Sequence, residues 1–156
     1  MSKFLLKATL AASGLAAVVA ATAANAADEA QVIELTQTAC QFVEIETGDH
    51  GYTSSSKADC ETINSKSGSD RLAKSETIKL KPGKYIFRVT NKNVPYGLGF
   101  YLRGDGIVNR ATLPSVSGGG LNQGVTKDYE ITLKPGEYVY SCPLNPTPDY
   151  KLLVEG

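Results

Sequence analysis

The chain has 156 residues and carries 16 basic and 16 acidic side chains, so its formal net charge is zero. That length is enough for one domain with a sizeable core. The balanced charge gives no reason to expect nucleic acid or an anionic membrane as a partner, because both attract clusters of Lys and Arg.

The first 26 residues have the features of a secretory signal peptide. Two lysines precede an Ala-rich apolar run over 8–21, and a small-x-small cleavage site follows at 24–26. Cleavage is predicted after Ala26, which leaves a mature domain of residues 27–156 in the periplasm or outside the cell. The alternative is an N-terminal membrane anchor. Later apolar stretches are too short to span a bilayer, so no membrane association is expected after cleavage.

Three cysteines constrain the mature chain. Export implies an oxidising compartment, in which two of the three are expected to pair. Cys40 and Cys60 are near in sequence, and a bridge between them would staple a polar insertion to the first strands. On the chain-entropy estimate, closing a loop of this size contributes roughly 3 kcal/mol. Cys142 then remains as the odd thiol.

The mature chain begins with two predicted strands, Gln31–Thr36 and Gln41–Glu46, in which β-branched and aromatic residues are interleaved with polar ones. The segment 48–75 is rich in Ser, Lys, Asp, Thr and Gly and predicts a long surface insertion. A short helix is expected near 57–63, because a run of Ser before it can cap its first turn.

From residue 77 the sequence is strongly β, and one phrase occurs twice. Leu80-Lys-Pro-Gly precedes Tyr85, and Leu133-Lys-Pro-Gly precedes Tyr138. In each copy Pro sets the first dihedral of a turn and Gly accepts the strained one. The two copies predict equivalent corners of a two-sheet sandwich.

The stretch between the two copies contains further turn signals. Gly99–Arg103, the turn Gly104-Asp-Gly106 and the residues after it predict a hairpin. Ser117-Gly-Gly-Gly predicts a flexible loop. Counted along the mature chain, seven or eight short strands result, without a long helical period. The predicted fold class is therefore all-β, an antiparallel β-sandwich.

The end of the chain resembles a known family. Tyr138-Val-Tyr-Ser-Cys142-Pro-Leu-Asn145 ends a strand on a cysteine and enters a Pro-rich loop, and an earlier strand ends Val-Thr-Asn91 before Asn93-Val-Pro-Tyr96. This pattern resembles the cupredoxins, the blue-copper proteins, over 77–154 and more loosely over 31–46. The resemblance implies a cupredoxin-like Greek-key β-sandwich, with 48–75 as an insertion.

The resemblance also implies where a copper site would lie. Cupredoxins bind copper through two His, one Cys and a weak axial Met. Carried over, the first His falls at Tyr96, the Cys at Cys142, the second His at Asn145 and the Met at Tyr150. One of four ligands therefore remains. The chain's one histidine, His50, lies in the insertion.

Each of these tentative metal ligands has a structural alternative. Cys142 is a metal thiolate, a buried small residue, or a group for disulfide or partner chemistry. Tyr96 and Tyr150 supply phenolate oxygen to a ferric or cupric ion, or hydrogen-bond at the end of the sandwich. Asn145, between two prolines, is a ligand or a turn residue. His50 is exposed in its loop, or folds over beside Cys142.

The sequence contains no visible catalytic set, so an enzyme is not expected. A Cys–His pair would need His50 beside Cys142 and a third group to orient it. The leading interpretation is an exported, non-enzymatic cupredoxin-like binding or accessory protein with a degenerate copper site, whose loops around Tyr96, Cys142 and Tyr150 recognise a protein or a small ligand. The alternative is a copper-binding or electron-transfer protein with an atypical site built on Cys142.

Overall fold

The computed structural model describes residues 29–156, so the predicted signal peptide and its cleavage site lie outside the described residues. Within this range the chain forms nine strands and two helices. The strands are β1 Gln31–Thr38, β2 Gln41–Phe42, β3 Ile78–Leu80, β4 Gly83–Asn91, β5 Leu98–Gly104, β6 Val116–Leu121, β7 Thr126–Leu133, β8 Gly136–Ser141 and β9 Tyr150–Val154. The helices are α1 Lys57–Lys74 and α2 Gly106–Thr112.

The strands form two sheets with the core between them. One sheet has the order β2-β1-β4-β7 and the other β3-β9-β8-β5-β6. Strand β4 shows the alternation expected of a half-buried strand, with Tyr85, Phe87 and Val89 buried. From the other sheet Phe100 stacks on Phe87 with 5.5 Å between ring centroids. The predicted all-β sandwich is confirmed, with nine strands among the described residues instead of seven or eight. The prediction that it is antiparallel throughout is wrong, because β1 pairs with β4 and β3 pairs with β9 in parallel.

The repeated Leu-Lys-Pro-Gly phrase forms equivalent corners, as predicted. The first copy carries the chain from β3 in the five-stranded sheet to β4 in the other, and the second carries it back from β7 to β8. At each corner a buried tyrosine donates its hydroxyl to the carbonyl of the phrase's lysine. Tyr85 reaches Lys81 at 2.8 Å, and Tyr138 reaches Lys134 at 3.0 Å. The same Pro-Gly turn with the same tyrosine hydrogen bond therefore carries the chain from one sheet to the other at both places.

The predictions for the second strand and the first helix are wrong in length. Strand β2 pairs only at Gln41–Phe42. Val43 still donates its N–H to the carbonyl of Thr36 at 3.0 Å, but the N–H of Thr36 goes to the Glu44 carboxylate at 2.8 Å. Helix α1 begins after Ser56, whose N–H Asp59 accepts in a capping box, and extends far beyond residue 63. Its sequence has few apolar residues, so no periodicity indicated its length.

The glycine run predicted to be a flexible loop is strand β6, which pairs with β5. Here glycine permits close approach. A Cβ on Gly99 would lie 2.8 Å from the carbonyl oxygen of Gly118, and one on Gly118 would lie 3.0 Å from the Tyr129 ring. The Tyr129 hydroxyl and Lys127 Nζ donate to the carbonyls of Gly118 and Gly119. Side chains of β7 thus contact this edge strand, although its residues 117–120 remain exposed.

The predicted hairpin after Gly104 is wrong, because the chain forms α2 there. The helix packs its backbone directly on Gly104, where a Cβ would overlap the carbonyl of Asn109 and lie 2.8 Å from the N of Arg110. No side chain fits in that space. Since backbone cannot move aside as a flexible side chain can, Gly104 fixes the position of α2 against β5.

Substitution Gly104→Ala is expected to lower the free energy of unfolding by about 2 kcal/mol, because the added methyl group overpacks the contact with α2. Gly97→Ala is the matched control, since a Cβ there meets only the side chain of Asn122 at 3.4 Å. Urea unfolding of the two variants measures the difference. Equal stabilities would contradict the described packing of α2 on β5.

Candidate functional site

Cys142 begins the loop 142–149, which connects β8 to β9, and its side chain is buried. Its Sγ accepts the N–H of Gly99 at 3.4 Å and the N–H of Asn145 at 3.2 Å. Burial raises the pKa of this thiol, although the backbone hydrogen bonds act in the opposite direction. Cys142 is therefore a free, protonated thiol near neutral pH, held inside the end of the sandwich.

Asn145 lies in a turn of this loop, as predicted, but its side chain is fully buried. Its Nδ2 donates to the carbonyl of Thr38 at 2.9 Å, and its Oδ1 accepts the N–H of Cys40 at 2.9 Å. Thr38 is the last residue of β1, and Cys40 lies in the turn that follows it. The Asn145 amide thus provides hydrogen-bond partners for two buried backbone groups, the carbonyl of Thr38 and the N–H of Cys40.

The predicted disulfide between Cys40 and Cys60 is confirmed. It joins α1 to the turn after β1, next to Asn145. The Cys60 Sγ lies 3.0 Å from Asn145 Oδ1, a contact without a proton because both cysteines are oxidised. Tyr96 completes this corner, since its hydroxyl lies 3.3 Å from the same Oδ1 and 2.9 Å from Ser54 Oγ. Burial raises the pKa of the Tyr96 phenol, so it remains protonated near neutral pH.

A second cluster surrounds Glu46, whose carboxylate is buried. Arg71 donates to both of its oxygens, from Nε at 2.8 Å and Nη2 at 2.7 Å. The hydroxyl of Tyr150 also donates to Glu46, and His50 Nε2 lies 2.8 Å from it. Burial and then the bond to Glu46 raise the pKa of Tyr150 strongly, so this phenol is neutral.

The structure therefore divides the five candidate ligands between two clusters. Tyr96 and Asn145 contact each other, and the backbone of Asn145 reaches Cys142. Tyr150 and His50 both bind Glu46, and the His50 side chain is 40% exposed. Over residues 29–156, no three His, Cys, Asp or Glu side chains are grouped so that they could hold a metal ion.

The donor set does not fit a blue-copper ion. Such a site needs two imidazole nitrogens beside the thiolate. At the corresponding positions, the amide of Asn145 is committed to backbone groups and the phenol of Tyr96 is protonated and hydrogen-bonded. Tyr150, at the axial position, keeps its proton and donates a hydrogen bond to Glu46. These residues act as supports of the loops that carry them.

Glu46 and Arg71 are the residues that the sequence did not indicate. They lie 25 positions apart, and neither belongs to a pattern typical of a buried ion pair. Arg71 occupies a polar helix in which periodicity identified no inner face. The pair is visible only once the disulfide has placed α1 beside the turn that contains Glu46.

The loops at this end also present an apolar surface. We call Pro95, Tyr96, Pro143 and Leu144 the loop surface. Leu144 is 47% exposed, although the next residue along the chain is fully buried. The hydroxyl of Tyr96 reaches the buried amide of Asn145, so the two loops adjoin. The loop surface thus consists of exposed and partly exposed apolar residues on two loops that are joined through Asn145.

No protein-family model matches the chain, and no curated protein matches it significantly. In the part of the chain that the structure describes, the helices fall short of the length and apolar character needed to cross a membrane. What the protein does is therefore inferred from the contacts of its own residues.

Proposed function

We propose that this protein is an exported, non-enzymatic binding protein. It resembles a cupredoxin in which the copper-ligand positions have become structural supports for a recognition loop. The observation that carries the proposal is Asn145. Its buried amide anchors the loop 142–149 to Thr38 and Cys40, while its neighbour Leu144 is held out in solvent.

A loop built this way suits binding. The backbone of the loop 142–149 is stiffened by Pro143, Pro146 and Pro148. The hydrogen bond of Asn145 to Thr38 fixes the position of the loop relative to β1. A loop that is already ordered loses little conformational freedom when it docks, so more of the contact energy appears as affinity. The partner favoured by Leu144 and the neighbouring prolines is a protein with a complementary apolar patch.

The surroundings of Cys142 support a role other than catalysis. Its sulfur accepts two backbone N–H groups, while the chain's imidazole donates to Glu46 in the other cluster. An activated cysteine nucleophile requires an adjacent base, and burial here raises the thiol pKa. Export is supported by the disulfide, which forms and persists in oxidising compartments.

A capture experiment tests the proposed surface with two matched variants. Leu144→Ser removes the exposed apolar side chain of the loop surface. Val32→Ser is the control, because Val32 is similarly exposed at 43% but lies at the opposite end of β1, roughly 20 Å from Thr38. Proteins retained from a cell-envelope extract of the source organism are quantified for wild type and both variants.

We expect at least one protein to be retained equally by wild type and Val32→Ser, and about tenfold less by Leu144→Ser, as for a residue near the centre of an interface. Equal retention by all three chains would show that the loop surface is not the binding site. Retention of no protein by any of them would count against a stable partner.

The second candidate is a copper-binding or electron-transfer protein with an atypical site built on Cys142. One observation favours it. Two N–H groups point at the sulfur, and such donors stabilise a thiolate once a metal has displaced its proton. Copper would have to draw further donors from residues that are now hydrogen-bonded elsewhere, which is why it ranks second.

A further inference from the structure

Helix α1 lies against the loop 142–149 with a polar face. Its buried residues are Cys60, Gly68 and Arg71, whereas a surface helix usually buries an apolar stripe. Asn64 donates its side-chain amide to the carbonyl of Pro146. Gly68 faces Pro148, whose ring would lie 4.0 Å from an added Cβ. The helix therefore contacts the loop through Asn64 and Gly68, while its Ile63 and Leu72 pack against the core with partial burial.

Two attachments hold α1 at its two ends. Near the start, Cys60 is bonded to Cys40. Near the end, Arg71 bonds the carboxylate of Glu46 and also donates to the carbonyl of Cys40 at 2.8 Å. Both attachments lead to the same short segment, residues 40–46. Helix α1 is thus attached to residues 40–46 and lies against the loop 142–149.

Of these attachments, the disulfide decides whether the helix docks. A polar helix of 18 residues with Gly and several Ser is marginally stable in water when it is isolated. The buried pair of Arg71 and Glu46 attracts strongly, but much of that attraction is offset by removing both charges from water. The core of the sandwich, in contrast, lies between the two sheets, and besides Cys60 the helix α1 adds to it only the partly buried side chains of Ile63 and Leu72.

Helix α1 is coupled to the loop 142–149 through Asn145. The Oδ1 of Asn145 lies against Cys60 Sγ and accepts the N–H of Cys40, and the backbone N–H of Asn145 donates to Cys142 Sγ. Undocking of α1 removes the contact between Asn145 Oδ1 and Cys60 Sγ. It also frees the turn whose Cys40 N–H donates to that oxygen. The loop then keeps the bond of Asn145 to Thr38, but it loses the other contacts that hold Asn145, whose N–H donates to Cys142 Sγ.

We propose that the Cys40–Cys60 disulfide is a redox clasp. In the reduced chain α1 is undocked from the loop 142–149 while both sheets stay folded, and oxidation docks it. On closure the two thiols give up two protons and two electrons to a disulfide-carrying oxidant, which leaves as two thiols. Cys142 keeps its proton and takes no part. This inference stands whether or not the loop surface binds the proposed partner.

Because the disulfide is buried, we expect its formation to be easier than its reduction. Both sulfur-bearing residues are fully buried in the docked form. A reductant reaches them only after α1 has opened, whereas an oxidant meets them in the open form. The clasp therefore closes more readily than it reopens, and it protects the remaining thiol in an oxidising compartment.

The test combines two readouts on the full chain. Alkylation of Cys142 by N-ethylmaleimide, located by peptide mass spectrometry, reports opening of the loop. Hydrogen exchange of the amides in β4 and β7 reports whether the sheets stay folded. The samples are oxidised wild type, wild type kept reduced since purification, and the variant Cys40→Ser/Cys60→Ser. Oxidised Cys142→Ser gives the background of labelling.

The clasp predicts that Cys142 is labelled at least about tenfold faster in the reduced wild type and in the double variant than in oxidised wild type, as for local opening without global unfolding. Amides of α1 should exchange rapidly in both, while those of β4 and β7 stay protected. Unchanged labelling would overturn the proposal. So would labelling that rises together with exchange in β4 and β7, or a double variant that does not fold, because the disulfide would then support the whole fold.

Discussion

Substitution Asn145→Ala should lower the free energy of unfolding by about 3 kcal/mol, because it leaves two buried backbone groups without partners. The N–H of Cys40 and the carbonyl of Thr38 each lose the bond that the Asn145 amide now provides. Urea denaturation of the oxidised protein measures the loss.

Two further variants make this result specific. Leu144→Ala, one position earlier, should change stability by no more than about 0.5 kcal/mol, since that side chain is largely in solvent. Asn145→Asp keeps the size of the side chain but replaces the Nδ2 donor to Thr38 with an oxygen, so it should be at least as destabilising as the alanine variant. If Asn145→Ala were as mild as Leu144→Ala, the loop would not depend on this anchor.

The second large effect is expected for Arg71→Met, which should cost about 3 kcal/mol because it leaves the carboxylate of Glu46 buried without its cation. Tyr150 and His50 would still donate to that carboxylate. They do not replace the bidentate guanidinium. Loosening of α1 would let some water reach Glu46, which holds the loss at the lower end of the usual range.

The chain offers a matched control for this pair. Arg88 makes the same two-pronged contact with Asp128, at 2.8 Å for both bonds, but it lies at the surface. Arg88→Met should therefore destabilise the protein much less than Arg71→Met, because water screens an exposed ion pair. The double variant Glu46→Gln/Arg71→Met should recover part of the loss by removing the unpaired charge. A similar cost for Arg71→Met and Arg88→Met would contradict the burial of the first pair.

Features of the fold that depend on local chemistry could be predicted from the sequence. The two Pro-Gly corners are examples, because Pro and Gly determine a turn regardless of what surrounds it. The first strand was also identified, predicted at Gln31–Thr36 and observed at Gln31–Thr38. The helix α2 was not, since its existence depends on how its backbone packs on Gly104. The glycines of β6 were misread for the same reason, because their role is a close approach to Tyr129 and not flexibility.

The candidate site was predictable to a smaller extent. Counting cysteines indicated the Cys40–Cys60 bond, because two of the three were expected to pair. The resemblance drew attention to Asn145, yet nothing in the sequence says that its amide turns inward to Thr38. The contacts of Glu46 with Arg71 join residues that are distant along the chain. Such pairings are fixed by the position of α1, which the sequence alone does not determine.

The claim that the copper-ligand positions have become structural supports is tested most directly by copper binding. Metal content and the visible absorption spectrum are measured on the oxidised protein before and after addition of cupric and cuprous ions, with Cys142→Ser as the control. We expect no stoichiometric copper and no thiolate charge-transfer band, and therefore the same spectrum for wild type and variant. One equivalent of bound copper with an intense visible band, absent from Cys142→Ser, would contradict it and establish an atypical copper site at Cys142.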